Sequence, residues 1–558
     1  MGVEGFKGYL YNNRFFKKAF VGSQPRNVAS LFVDCNGIFY GVAAEVYKTS
    51  SDYSDRDRQI LFKKSHSLLE KKYIKEILKE FERIIKHFKP TDNLILAVDG
   101  MVNNAKMNQQ KHRRFKKIYE PKKEFEIFNT IVLTPGTDFM VKLDQAIEEW
   151  IKTKKDILPL RTIYSSHLSH GEGEHKIFDY IRRGDIILEN NSFENNIDQL
   201  LEKGSNIIYG LDNDLIILSV VSPLNNMFMV PENGTNPVSV DLLRLIINDF
   251  MGYSGSDIDT IIRDFSVVVT LLGNDFLPKF PNAGRINDIL PLLFKVYSIF
   301  VKKPLTDSRN NILWKNYYLF LNSYSKYESS KIPNYHYIQD YLKPLPNPYP
   351  EIKESIEEDK RGNINFDLKK FGKLWYKKQF NPGIRQYNGD VLETYKTAYI
   401  KDMCINYLKT VQWVQYYYTK GFKEVSNVHL YKYLYTPLME SLIIVLKNLI
   451  EQSKTGVLRN VLSDLEDVKI TPIHQLLSVF PYQFVRYVPG DFEEFYQKEL
   501  LEINPTEFEI SKDNTRKEHQ KLALLPPVNL KKIDKILKEY HYRIPKQLMD
   551  KKDLIIEK

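Results

Sequence analysis

The sequence predicts an α/β fold: a mainly parallel sheet with helices on both faces, followed by a mostly helical C-terminal region. Three observations predict it. Short apolar runs at residues 29–34, 94–98, 162–166 and 206–210 are too brief for helices and alternate with segments of helical periodicity, the pattern of repeated βαβ units. In five places such a run, or the turn after it, is followed by an acid: Asp34, Asp99, Glu172 with Glu174, Asp212 with Asp214, and Asp275. Beyond about residue 300 the alternation stops and long helical patterns take over.

The elements follow in order. Residues 29–34 (ASLFVD) read as a buried strand ending in an acid, residues 36–47 as the helix after it, and the Ser/Asp-rich stretch 48–58 as a loop. Ile74, Ile77, Leu78, Phe81, Ile84 and Ile85 set a helix over 73–87. Pro90 and Asp92 turn the chain into a strand at 94–98. From Lys106 to Lys117 there are six Lys/Arg and no Asp or Glu, on a helix that ends before Pro121. Residues 131–140 (IVLTPGTDFM) read as a short strand, a Pro-Gly turn and a helix entry, with helix over 143–151. GEGEHK at 171–176 leads into an amphipathic helix carrying Ile177, Tyr180 and Ile181, and an Asn-rich loop spans 189–196. The strand at 206–210 precedes Asp212-Asn213-Asp214 and a second apolar run at 215–221. Residues 231–234 turn between two strand-like runs, and SVVVTLLG (266–273) is the last apolar run before Asp275.

In the second half, residues 341–350 (YLKPLPNPYP) read as an extended linker and 351–367 as an exposed charged stretch. A second ordered region covers 374–481, and the Lys-rich terminus 527–558 either packs as a final helix or stays mobile. The expected division is a core over 1–300, a linker or insertion over 301–370, and a mostly helical region over 371–558 that packs on the core and completes it.

A net charge of +10 favours a polyanionic partner. The 36 Tyr and 32 Phe, mixed with Lys and Arg, suit stacking on unpaired bases, although most such rings serve a core. Two cysteines, Cys35 and Cys404, exclude a disulfide framework and a Cys-rich zinc site and fit a reducing compartment. No apolar run approaches the roughly 18–20 residues that span a bilayer. Glu4 and Lys7 interrupt any signal-peptide pattern, and Phe6 breaks the myristoylation pattern.

In an open parallel sheet, residues that end different strands converge at its carboxyl edge. Seven carboxylates there would repel, at about 4 kcal/mol per pair ~4 Å apart for an effective dielectric of ~20. Such a cluster calls for cations, and oxygen ligands without His or Cys favour Mg²⁺ or Mn²⁺. Two ions about 3.5–4 Å apart would activate a water and stabilise the leaving oxygen of a phosphodiester. Any one of these acids is as readily a turn or helix-start residue; their recurrence is what points to a site. Lys106, Gln110, Arg113 and Arg114 stand at i, i+4, i+7 and i+8 and share one helix face. Asp99, an acid able to hold a metal, is thus followed by a face able to hold a phosphate, with a solvated basic helix as the alternative.

At these residues the chain resembles the eukaryotic 5′→3′ exoribonucleases of the Xrn/Rat type. MGVEGF (1–6), VDCNGIFY (33–40), AVDGMVNNAKMNQQKHRRFK (97–116), TPGTDFM (134–140), GEGEHKIFDYIR (171–182), YGLDNDLIILS (209–219) and GNDFLPKFP (273–281) match in order and spacing. VQWVQYYYTKGF (411–422) and HQLLSVFP (474–481) continue the match, and HQKLALLPPVN (519–529) is a weaker echo. The resemblance implies a PIN/flap-nuclease-like core that processively releases nucleoside 5′-monophosphates from single-stranded RNA with a 5′-monophosphate end, such as decapped mRNA. It implies two Mg²⁺ ions, with Mn²⁺ able to substitute, on Asp34, Asp99, Glu172, Glu174, Asp212, Asp214 and Asp275. It implies a 5′-phosphate pocket of Lys106, Gln110, Arg113 and Arg114, closed to a cap or triphosphate. Where the family commonly has a His that stacks with a Trp on the 5′ base, this chain has Tyr40; Trp413 is the candidate for the Trp.

The resemblance further implies a monomer, a decapping enzyme as candidate partner and a cytoplasmic location, with nuclear and virion-associated locations left open. The chain is short for the family and resembles the compact copies carried by large DNA viruses. Two other functions compete. A flap-type DNA nuclease on the same core would follow the last acidic motif with a Gly-rich hairpin, which FLPKFPNAGRINDIL (276–290) lacks. A non-catalytic RNA-binding protein would gain nothing from the mutual repulsion of seven acids.

Overall fold

The computed structural model describes residues 3, 5–50, 52–119, 128–188, 204–210, 213–231, 236–281, 286–331, 349–358, 360–361, 364–379, 389–462, 467–489, 492–511, 521–540 and 542–558. The expected loop at 189–196, the turn residues 232–234, most of the 341–350 linker and Asp212 lie outside them.

Strands β1 (Val28–Asp34), β2 (Asn93–Ala97), β3 (Arg161–Ser165), β4 (Ser205–Tyr209) and β5 (Met227–Val230) form one parallel sheet in the order β3-β2-β1-β4-β5. The expected mainly parallel sheet is therefore what forms. β6 (Val238–Ser239) pairs antiparallel with β5 at one edge. The strand Leu554–Glu557 pairs antiparallel with β3 at the other. Strand order reverses between β1 and β4, the switch point at which open α/β sheets place their sites.

Alternate strand residues feed opposite faces, as the pleat requires. Leu31, Val33, Leu94, Leu96 and Ile207 join a cluster with α2 (Cys35–Val46), α4 (His66–Phe88) and α6 (Asp138–Thr153). Phe32, Ile95, Ile163 and Ile208 face a larger cluster with α7 (Gly173–Arg183), α8 (Asn213–Val221), the helices Val240–Met251 and Ile258–Val269, and the long helix Gly389–Thr419. Each such buried side chain contributes about 1.5–3 kcal/mol of apolar burial. Coverage on both faces explains why the strands read as continuous apolar runs. A third cluster joins α5 (Asn104–Lys116), through Met107, to the helices Pro472–Val479 and Leu530–Glu539. Among the described residues no helix is long and apolar enough to cross a membrane.

Two local expectations change, at 131–133 and at 48–58, and two open ones are decided. Residues 131–133 lie in a 3₁₀ turn rather than a strand. The apolar runs 215–221 and 266–269, to which the sequence assigns no element, lie in helices; the first is buried on nearly every side, so it is apolar throughout and shows no period. α3 (Asp55–Phe62) begins inside the expected loop, started by a capping box between Ser54 and Asp57. Of the two alternatives for the terminus the packed helix forms, over Leu530–Glu539, and the chain then returns as the sheet-edge strand.

Candidate active site

β1 delivers Asp34 at its last position, where the carboxylate also caps α2 by accepting from the Asn36 amide at 3.3 Å. β2 delivers Asp99 two residues past its end. Asn36 couples the two strand ends: its Nδ2 donates to Asp99 Oδ2 at 2.7 Å, and its Oδ1 accepts from the Asp99 amide at 3.1 Å. The Gly173 amide donates to Asp99 Oδ1 at 2.8 Å. A Cβ on Gly173 would lie 2.5 Å from Asp34 Oδ1, so only glycine lets the start of α7 come this close. That approach brings Glu174, in the first turn of α7, to Asp34 and Asp99. Ligand oxygens of these three acids lie within 4.8 Å of one another, an arrangement able to hold a metal ion.

The remaining described acids gather around Lys106, on the first turn of α5. Its Nζ lies 2.7 Å from Glu172 Oε1, 2.8 Å from Asp275 Oδ2 and 3.9 Å from Asp214 Oδ2. Burial opposes a charge on Lys106, but Asp275, Glu172 and Asp214 outweigh it and hold the ammonium well above its ordinary range. The same contact holds Asp275 below the usual carboxylate range although burial pushes it up. Burial raises Glu172, partly offset by Lys106. Burial, then Glu172, Asp34 and Asp99, push Glu174 well above the usual range.

The rest of the basic face begins one helical turn further along α5. Arg114 Nη1 donates to Gln110 Oε1 at 3.1 Å and Nη2 to Thr134 Oγ1 at 2.9 Å. Gln475, from the helix Pro472–Val479, donates to the same Gln110 oxygen at 3.2 Å and accepts from the Val102 amide at 3.0 Å. The guanidinium of Arg114 lies over Phe480, and burial with Arg113 alongside pulls it down to about 10. Arg113 is exposed. Tyr40 presents a 39% exposed ring on α2, near enough to Arg114 to act on it electrostatically.

The base-stacking assignment of Trp413 is corrected. Its indole is fully buried, stacks on Tyr417 at 4.7 Å, lies 5.8 Å from the His429 ring, and donates its N–H to the Ser426 carbonyl at 3.0 Å. A ring so enclosed offers no face to a base. Trp413 instead backs Tyr417, which with its neighbour Tyr418 is a site residue that sequence reasoning missed. Tyr417 donates to Glu172 Oε2 at 3.0 Å and Tyr418 to Asp214 Oδ1 at 2.7 Å. Burial, then the adjoining carboxylate, raises both phenols well above their ordinary range, so they stay donors. His175, buried against Tyr417 and held neutral by burial, also lies close to Glu172 and Glu174. The available signal was the triplet Tyr416-Tyr417-Tyr418 beside Trp413; the signal for Asn36 was a short amide two residues after a strand-ending acid.

Asn36 orients Asp99 without being one of the acids. Asn36→Ala removes one hydrogen bond from that carboxylate and one from the Asp99 backbone amide, and is expected to weaken divalent-cation affinity about 10- to 100-fold, as loss of a ligand's outer partner does. Isothermal titration with Mn²⁺ checks this; unchanged affinity would detach Asn36 from the site.

Two family models match the chain: the XRN 5′-3′ exonuclease N-terminus over residues 1–233 and the Xrn1 helical domain over residues 336–548. Human 5′-3′ exoribonuclease 1 is 23% identical over 603 residues, covering 93% of this chain and 33% of that protein. The Saccharomyces cerevisiae 5′-3′ exoribonuclease 1 is 26% identical, covering 53% of this chain and 20% of its own length. The Arabidopsis thaliana 5′-3′ exoribonuclease 2 is 27% identical, covering 44% and 31%. The chain thus spans about a third or less of the length of these relatives. With both family models in register, and the acids and basic face of the matched motifs lying on adjoining elements, the chain belongs to the Xrn family of 5′-3′ exonucleases.

Proposed function

We propose that this protein is a 5′→3′ exoribonuclease that processively hydrolyses single-stranded RNA carrying a 5′-monophosphate and releases nucleoside 5′-monophosphates. One observation carries the reading. The acids at the ends of β1 and β2 and at the starts of α7 and α8 adjoin a basic helix face that begins at Lys106 and continues to Arg114. Cleavage chemistry and recognition of an end phosphate are thereby set side by side.

Asp34, Asp99, Glu172, Glu174, Asp214 and Asp275, with Asp212 by its place in the motif, would hold two Mg²⁺ ions, with Mn²⁺ able to substitute. The donor set fits, being hard carboxylate oxygens whose mutual repulsion shows in the raised Glu174. Bound there, such ions supply Lewis-acid charge to the phosphodiester and lower the pKa of a water. Lys106 keeps its charge among the acids. Lys106, Gln110, Arg113 and Arg114 receive the 5′-phosphate, for which a guanidinium fork suits a terminal monophosphate. Tyr40 stacks on the first base. Residues 1–300 form the nuclease core, 301–370 an insertion, and 371–558 the region that completes the site, a division supported by Tyr417, Tyr418 and Gln475 reaching it. The reading extends to a cytoplasmic monomer that follows a decapping activity; two buried free cysteines suit a reducing compartment.

The test compares RNA bearing 5′-monophosphate, triphosphate or hydroxyl ends, and matched single-stranded DNA, all with Mg²⁺. Monophosphate-selective release of mononucleotides is expected; internal cleavage of DNA, or binding without cleavage, would overturn the reading. Tyr40→Ala is expected to weaken RNA binding by about 1–3 kcal/mol, the contribution of one stacked base. Unchanged processivity on long RNA would leave Tyr40 without that role.

A further inference from the structure

The basic run of α5 does not act as one surface. At 3.6 residues per turn, Lys106, Gln110, Arg113 and Arg114 cluster on one side of the helix, while Asn104, Asn108, Lys111, His112 and Phe115 fall on the opposite side. That opposite side is hydrogen-bonded, turn by turn, to one stretch of chain more than 400 residues away in sequence, and Asn104 and Lys111 also donate to the Val428 and Ile503 carbonyls. His112 Nδ1 lies 2.8 Å from the Ala523 carbonyl; burial pulls the imidazole down to about 4, so it is neutral and donates its proton. Lys111 Nζ donates to the Pro526 carbonyl at 2.9 Å and to the Ile503 carbonyl. The Val528 amide donates to Asn108 Oδ1 at 3.1 Å, and Asn104 Nδ2 donates to the Val528 carbonyl at 3.4 Å. Phe115 packs with Ala523 and Leu525.

Residues 523–528 therefore run antiparallel to α5 as a rail. Lys111 is the unexpected part. It is fully buried, its acceptors at Ile503 and Pro526 are backbone carbonyls, and burial pulls its ammonium down to about 7. Burying a lysine without a carboxylate is costly, and an apolar side chain would fill the space at lower cost. What the lysine supplies is geometry. Its two carbonyls come from separate points of the chain and can be met together only at one rotation and one axial position of α5.

We propose that the C-terminal rail holds α5 in register and that Lys111 and Asn108 are positioning residues for recognition of the RNA 5′ end. They touch no substrate; they fix the rotation at which Gln110, Arg113 and Arg114 present themselves beside the acids. This rests on the proposed function, which assigns those three residues to the 5′-phosphate.

The test uses the full chain and compares Lys111→Met, Asn108→Ala and the unsubstituted protein on otherwise identical 5′-monophosphate and 5′-hydroxyl RNA. A KM increase of about tenfold on monophosphate RNA is expected, with the smaller part of the change in kcat and little change on hydroxyl RNA. An equal change on both ends, or a fall in kcat alone, assigns these residues a merely structural role and overturns the proposal. If Lys111→Met does not fold, Asn108→Ala, which removes one rail contact, decides by the same ratio. The unsubstituted protein is the control for the underlying reading: should it fail to discriminate the two ends, the 5′-phosphate assignment fails; should it discriminate while both variants match it, only the rail fails.

Discussion

Glu174→Gln is expected to reduce RNA cleavage by roughly three orders of magnitude while leaving RNA binding within a factor of a few. Glu174 is the acid that α7 brings to Asp34 and Asp99. Gln keeps its shape and removes its charge. Metal-borne charge stabilisation is worth several kcal/mol in a phosphodiester transition state, and about 1.36 kcal/mol corresponds to tenfold in rate. Single-turnover cleavage beside filter binding checks this, and near-normal cleavage would refute the metal assignment. The substitution has an opposite signature in stability. Glu174 is raised by burial and by Glu172, Asp34 and Asp99, so the folded chain keeps a proton that the unfolded chain has released. Stability of protein kept in chelator therefore falls as pH rises above the ordinary carboxylate range near 4.5. Glu174→Gln should flatten that fall and raise the neutral-pH melting temperature in chelator. A parallel pH dependence in wild type and variant would show that the acids do not repel as described.

Arg114→Ala should lower use of 5′-monophosphate RNA by roughly 10- to 150-fold and leave 5′-hydroxyl RNA little changed. Loss of one charge-assisted hydrogen bond costs about 1.5–3 kcal/mol, which is that range at about 1.4 kcal/mol per tenfold. Arg114 is the better probe than Arg113 because Gln110, Thr134 and Phe480 hold it in place, whereas Arg113 is exposed. A pre-oriented guanidinium loses less entropy on meeting a phosphate. Competition between the two RNAs in one tube measures the ratio directly; an equal loss on both would mean that Arg114 supports the fold and not the pocket.

The acids were legible because a parallel sheet sends its strand ends to one edge, so Asp34, Asp99 and Asp214 converge whatever the loops between them do. The basic face was legible because helical spacing is local. The same reasoning assigns no element to 215–221, where burial on nearly every side erases the period. It failed for Trp413 because a motif names an aromatic residue without saying which of its faces is covered. The neighbouring Tyr417 and Tyr418, four and three residues before a positive-φ Gly421, turned out to carry the contact with the acids.

The sequence by itself determined the alternation of strands and helices, the acids at their ends and the sidedness of α5, because each follows from a repeat of two or 3.6 residues read within one segment. Only the tertiary structure decided what meets those groups. Tyr417 reaches Glu172 across 245 residues, Gln475 reaches Gln110 across 365, and Pro526 receives Lys111 across 415. A side chain's partner over such separations depends on how whole elements pack, and in particular on which face of α5 the C-terminal chain covers. That is why Lys111, on the far side of a helix whose other face carries the basic pocket residues, points into the protein.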